Sequence, residues 1–208
     1  MVPIEQAQIS WPMRVAVLAL IGLVSTAVAQ PIQPTVDERE AAWYEARDGG
    51  LFLGCSLACA IGWRTTASST LPASGANTYT TDNLGDGTAT TAWVEGVDGN
   101  GIGERLHLNI QTVEMGGSIS FRGITLVNGY AKSADLWRKN GRVRSFRLWV
   151  DGEAHHTLDL ADVMRPQSFD FDLRVRSGSL IELEILDVYP GSRYEDTAIS
   201  ELVLSGAH

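Results

Sequence analysis

The longest uninterrupted apolar run in this chain is Val15–Val24, ten residues, about half of what a helix needs to cross a bilayer, so no membrane span is expected. Cysteine is scarce: Cys55 and Cys59 are the only two in 208 residues. That excludes both a disulfide-dense scaffold and a zinc site built on two cysteine or histidine pairs. Basic charge is in deficit. Sixteen Lys and Arg stand against 25 Asp and Glu, a formal net charge of −9, so a surface for nucleic acid or anionic lipid would meet its partner with like charge. No nucleic-acid partner is therefore expected.

Catalytic signatures are also missing. The sequence has no Gly-x-Ser-x-Gly elbow and no His-Glu-x-x-His. His155 and His156 are adjacent, so on a strand they point to opposite faces and cannot hold one ion together. Gly99, Gly101 and Gly103 alternate without opening a helix, and the run from Asp98 breaks the EF-hand pattern at Ile102 and Asn109. There is no internal repeat, and no helix-period segment comparable in length to the strand-like runs follows Gly50.

What is present begins with an export signal. Arg14 precedes the apolar run, and Ser25, Thr26 and the small-residue triplet Ala27-Val28-Ala29 follow it. Residues 1–29 read as a signal peptide cut after Ala29, with a secreted or periplasmic destination. Residues 30–54 read as a linker with a short helix. Pro31 and Pro34 make an extended spacer, Thr35-Val36-Asp37-Glu38 has the form of a capping box, and the helix stops at Gly49-Gly50. In an exported chain Cys55 and Cys59 are expected to pair as a small disulfide loop.

From residue 55 to 208 the sequence reads as one all-β domain. Leu106, Leu108 and Ile110 alternate with polar residues, as do Phe146, Leu148 and Val150, then Phe169, Phe171 and Leu173, then Ile181, Leu183 and Ile185. A period of two gives each strand one buried and one wet face, and Asp151-Gly152 lies between two such runs as a two-residue hairpin turn. Several short antiparallel strands of this kind imply a two-sheet sandwich or jelly roll. Arg142 and Arg144 read as solvated strand positions.

One cluster of residues fits a hard cation. In Asn83-Leu84-Gly85-Asp86-Gly87-Thr88, with Thr91 ahead of Trp93, a tight glycine turn can aim carbonyls and short oxygen side chains inward around one carboxylate. Asp86, Thr88 and Thr91 are the candidate donors. The alternative is a plain Asp-Gly turn held by Asx and Thr hydrogen bonds.

The ordered segments ASSTLPASGANTY, NLGDGTATTAWVEGVDGNGIGE, GITLVNGYAKSADLWRKNGRVRSFRLWVDGE and VYPGSRYEDTAISEL carry a resemblance. They are similar to the discoidin-like translocation domain of NAD glycohydrolase toxins, over about Cys55 to Gly206. The resemblance implies a galactose-binding-like jelly-roll β-sandwich, akin to coagulation-factor type C domains and several carbohydrate-binding modules. It also implies a structural Ca2+ site, which maps to Asp86, Thr91, the carbonyl of Leu84, and Glu201 on the last strand. Thr88 stands where many such loops have a second Asp. In the toxins the glycohydrolase activity belongs to a separate region following the module, and this chain is expected not to hydrolyse NAD.

The function expected is that of a non-enzymatic exported binding module for a glycan or cell-surface carbohydrate, with a protein-interaction or structural module on the same fold, akin to toxin translocation and without NAD glycohydrolase activity, as the alternative. Sugars pack their C–H faces on aromatic rings and give their hydroxyls to polar side chains carried on loops. The candidate contacts are Tyr130, Lys132, Trp137 and Arg138 in one loop, Tyr189, Arg193 and Tyr194 in another, and Glu95 after Trp93. Trp137, flanked by Asp135, Arg138 and Lys139, is the expected exposed aromatic.

Overall fold

The computed structural model describes residues 30–39, 61–113 and 117–207. The signal peptide, the helix expected to end at Gly49-Gly50, and the Cys55–Cys59 pair lie outside the described residues. The strands are β1 (Thr35–Val36), β2 (Ile61–Ala67), β3 (Trp93–Val94), β4 (Arg105–Val113), β5 (Ser118–Asn128), β6 (Gly141–Val150), β7 (Glu153–Asp159), β8 (Pro166–Arg176), β9 (Leu180–Tyr189) and β10 (Thr197–Ala207). One short helix, α1 (Ala134–Lys139), and a 3-10 turn, Thr81–Leu84, complete the described elements.

The strands form two groups. One runs β1-β8-β5-β10, with β3 also on β10; the other runs β7-β6-β9-β4-β2. Nearly every pairing is antiparallel. A two-residue parallel contact, Thr197 to Gly141 and Ala198 to Arg142, joins the groups where β10 begins. The apolar residues of the period-two pattern meet in one core that includes Leu106, Leu108, Phe121, Ile124, Phe146, Leu148, Phe169, Ile181 and Leu183. Phe171 and Leu173 are partly buried against it. This is the galactose-binding-like jelly-roll sandwich, and the expected alternation holds on β4, β6, β8 and β9. The Asp151-Gly152 turn forms as read: both residues have positive φ, 52° and 84°, as a mirror-image two-residue hairpin turn demands.

Two expectations are corrected. Residues 30–39 are extended, as expected of the spacer, but they pair with both sheets, and the capping-box reading of Thr35 gives way to a strand. Ile32 donates its N–H to the Thr157 carbonyl (2.8 Å) and accepts from the Asp159 N–H (3.1 Å), while Thr35 and Val36 pair with Ser168 and Gln167. The segment thus straps the β7 edge of one sheet to the β8 edge of the other, with Ile32 packed on the core between them. Thr35 is a strand residue, not an N-cap. Arg142 is the second correction: it is buried, because Trp137 of α1 and the chain at Asn140, Asp162 and Pro190 close over its guanidinium.

Candidate binding cleft and cation loop

A cleft of about 450 Å³ opens where three loops meet. Leu71, Pro72, Ser74 and Tyr79 come from the segment after β2, Tyr130, Leu136 and Asn140 from the β5–α1 region, and Tyr194 and Asp196 from the β9–β10 loop. Val94 of β3 supplies part of the floor. The rings of Tyr79 and Tyr130 meet edge to face, with centroids 6.3 Å apart and planes at 85°. Burial, and Tyr79 beside it, raise the Tyr130 phenol above its ordinary value, so it stays a neutral donor or acceptor.

The backbone fixes this corner. Gly129 has φ 79°, and a Cβ there would lie 2.7 Å from the Trp137 indole and 2.6 Å from Cγ of Arg142, so only glycine fits. Ser200 Oγ accepts from the Ala131 N–H and donates to the Gly129 carbonyl, each at 2.9 Å, tying the chain around Tyr130 to β10. In α1 the Ser133 side chain accepts from the Leu136 N–H, an N-cap, and Asn140 Nδ2 donates to the Leu136 carbonyl at the other end. The N–H groups of Arg193 and Tyr194 then donate to the Lys139 carbonyl, which holds the β9–β10 loop against the helix.

Arg142 locks these pieces from below. Its guanidinium forms a two-point pair with Asp162 (2.8 and 3.1 Å), donates to the Asn140 carbonyl (2.9 Å), and covers the Trp137 ring at 4.6 Å from its centroid. Only Arg142 is buried, while Asp162 reaches solvent, so it is the loss of Asp162 that would leave a buried charge without its counter-ion.

The candidate ligand residues divide accordingly. Tyr130 and Tyr194 line the cleft, Tyr194 with 40% of its surface exposed. Lys132 and Arg193 stand at its margin without lining it: Lys132 Nζ donates to Asn77 Oδ1 (3.4 Å), and the Arg193 guanidinium lies 5.4 Å over the Tyr194 ring. Trp137 is not the exposed aromatic. It is half-buried, its indole N–H donates to the Asn128 carbonyl (2.9 Å), and it packs on Ala89, Val127 and Ala131. Arg138 is exposed on α1 outside the cleft lining. Glu95 is fully buried, accepting from the N–H groups of Val97 (2.9 Å) and Thr197 (3.1 Å), with burial pushing its carboxyl upward. It anchors the Gly96–Gly103 loop to β10 and touches no ligand space. Tyr189 belongs to a separate polar hollow with Gln33, Arg144, Asp159 and Asp187, and its hydroxyl donates to the Leu160 carbonyl.

Sequence reasoning missed Tyr79, Leu136, Asn140 and Asp196. Tyr79 carries a usable signal, an aromatic inside a turn-rich stretch. The others carry none, because an apolar helix residue and a polar strand-end residue look alike wherever they face.

The Asp86 loop is held by the Asx and Thr hydrogen bonds of a plain Asp-Gly turn, with one further carboxyl, that of Glu201, beside it. Asn83 anchors its start, giving both amide hydrogens to the carbonyls of Thr78 and Ala92 at 2.8 Å. Asp86 accepts from the Thr88 N–H (2.9 Å) and from the Thr91 hydroxyl (2.6 Å). Leu84 sends its side chain into the core, so only its backbone can serve the loop. Glu201, on β10 opposite Val127, has no exposed surface, and neither carboxylate oxygen has a hydrogen-bond partner. Burial first, then the neighbouring Asp86 carboxyl, push its carboxyl up to about 9, against the nearby amides of Thr88 and Gly87. An orphaned buried carboxyl beside a second one is the arrangement a hard cation relieves. Among the described residues no three His, Cys, Asp or Glu side chains are grouped for a metal, so any ion here would depend on hydroxyls and carbonyls for most of its donors.

Residues 59–205 match the family model of the NAD glycohydrolase translocation F5/8 type C domain. The chain belongs to that family. No curated protein matches this family member by sequence. Its fold is shared with the CBM32-1 and CBM32-2 domains of Clostridium perfringens ZmpB, solved in complex with GalNAc: TM-score 0.56, 10% identity, 88% of this chain and 42% of that one. A putative chitobiase fragment from Bacteroides thetaiotaomicron gives TM-score 0.52 at 15% identity, over 70% of this chain and 89% of the fragment. The mycobacterial arabinofuranosyltransferase AftD gives 0.50 at 18%, over 71% of this chain and 11% of its own length. The family member therefore spans less than half of the ZmpB chain and a ninth of AftD. Among the described residues no helix is long and apolar enough to cross a membrane.

Proposed function

We propose that this protein is a non-enzymatic exported binding module whose ligand is a carbohydrate seated in the Tyr79–Tyr130–Tyr194 cleft. The carrying observation is the lining: three tyrosine rings for sugar C–H faces, with Ser74, Asn140 and Asp196 available for hydroxyls. The shared fold with a GalNAc-bound ZmpB module supports it. The test is a glycan array followed by titration of hits against Tyr194→Ala. Binding to a defined sugar, lost in the variant at unchanged melting temperature, is expected; silence across the array overturns the reading. Incubation with NAD is expected to give no turnover above buffer.

A protein-interaction role is the second reading. It draws on Val97 and Ile102, exposed at 38% and 55% on the Gly96–Gly103 loop, where apolar surface has no packing role. A partner lost on Ile102→Ser but kept on Tyr194→Ala would favour it.

We also read the Asp86 loop as the seat of a structural Ca2+, held by Asp86, Thr88, Thr91, Glu201 and the Leu84 carbonyl. When bound, the ion would neutralise the two carboxylates and tie β10 to the loop. A melting scan with calcium and with chelator tests it, and equal midpoints would count against the site.

A further inference from the structure

Among the described residues, the cleft lining contains a single charge, and it is the Asp196 carboxylate. No described group donates a hydrogen bond to that carboxylate, and Asp196 holds its place through its backbone, whose carbonyl accepts from the Gly141 N–H at 2.8 Å. None of the nearby cations is paired with it: Lys132 donates to Asn77 and Arg193 covers the Tyr194 ring, both at the cleft margin, and Arg142 pairs with Asp162. Asp196 shares the cleft with Tyr79, Tyr130 and Tyr194, the first two packed edge to face with centroids 6.3 Å apart. The Asp196 charge reaches the buried Glu95, whose carboxyl it helps to push upward. The whole chain adds a net −9.

Each feature selects on charge. An aromatic face attracts a cation within about 6 Å of its centroid, and an ammonium group is the common ligand of such faces. A nearby unpaired carboxylate adds a direct partner. A carboxylated or sulfated sugar would instead meet Asp196 with like charge, and an acetylated amine would bring no charge for the rings to use.

We infer that the cleft recognises an ammonium group, and that its carbohydrate is an amino sugar with a free, protonated amine set between the Tyr79–Tyr130 rings and Asp196. The inference rests on the carbohydrate reading of this cleft. It goes further by naming which sugars bind.

The test titrates the full chain, at low ionic strength and about pH 6 where a sugar amine is protonated, with galactosamine, galactose, N-acetylgalactosamine, galacturonic acid and tetramethylammonium. Galactosamine is expected to bind at least about tenfold more tightly than the other three sugars, with affinity falling as salt rises. Asp196→Asn is expected to bring the galactosamine-to-galactose ratio near one, and Tyr79→Leu to weaken tetramethylammonium and galactosamine together. Melting curves of both variants confirm that the fold is kept. Galactosamine binding no better than galactose overturns the ammonium inference and leaves the carbohydrate reading standing. Tetramethylammonium binding that is lost in Asp196→Asn, with silence toward every sugar, supports the ammonium site and overturns the carbohydrate reading. Silence toward all five ligands overturns both.

Discussion

Glu201 sits with both carboxylate oxygens buried and unpartnered, beside the carboxyl of Asp86. A charge in that setting is costly unless a proton or a cation joins it. Replacing it by Gln removes the ionisable group and keeps its shape. Glu201→Gln is expected to raise the melting temperature in chelator and to abolish any stabilisation by calcium, read by melting scans under both conditions. Trp137 poses the opposite question, since its neighbours mark it as packing. Trp137→Ala is expected to cost about 3 kcal/mol in urea unfolding, whereas Tyr194→Ala, at an exposed site, stays within about 0.5 kcal/mol. A Trp137 variant of native stability that loses ligand would reverse that assignment.

The strap at residues 30–39 is an element that neither sheet could replace from its own strands. It pairs with β7 on one side and β8 on the other, covering two edges that would otherwise present unpaired backbone groups. Ile32→Pro removes the 2.8 Å bond from the Ile32 N–H to the Thr157 carbonyl and the packing of Ile32 on the core. A loss of about 2 to 3 kcal/mol is expected, from one hydrogen bond and one aliphatic side chain. Faster amide exchange at Asp159 is the local readout, and unchanged exchange there would show that the strap is dispensable. Strand β6 shows what a period-two reading misses: its shifts at Ser145 bring Val143 and Phe146 to the same core despite odd spacing, while the neighbouring Arg142 is buried under α1 and the loops beside it.

On the scale of the whole molecule the two sheets meet through contacts that also set a response to pH. His156 of β7 stacks on Phe171 of β8, ring centroids 5.7 Å apart, and burial holds its imidazole below the ordinary 6.5, helped by His155. The unfolded chain therefore takes up a proton, as pH falls through 6.5, that the folded chain still refuses. This contribution to stability is present above 6.5 and is lost as pH falls toward the lower folded value. His156→Phe keeps the stacking and is expected to flatten the fall in urea midpoint between about pH 6.5 and 5; an unchanged slope would assign the acid sensitivity elsewhere. The amino-acid sequence by itself determined the strands whose burial alternates, β4, β8, β9 and the second half of β6, because alternation is a local property written residue by residue, and it determined the Asp151-Gly152 turn, because few residues accept positive φ at a two-residue connection. Ordered motifs along most of the chain also identified the family. Only the tertiary structure decided which aromatics face solvent, since Trp137 and Tyr194 both lie in polar loop-like sequence and differ only in what folds over them. It likewise decided that Asp86 meets Glu201 and that Tyr79 meets Tyr130 and Asp196. Those meetings depend on strand order and on which loops share one end of the sandwich, and neither is encoded in the period of any single strand.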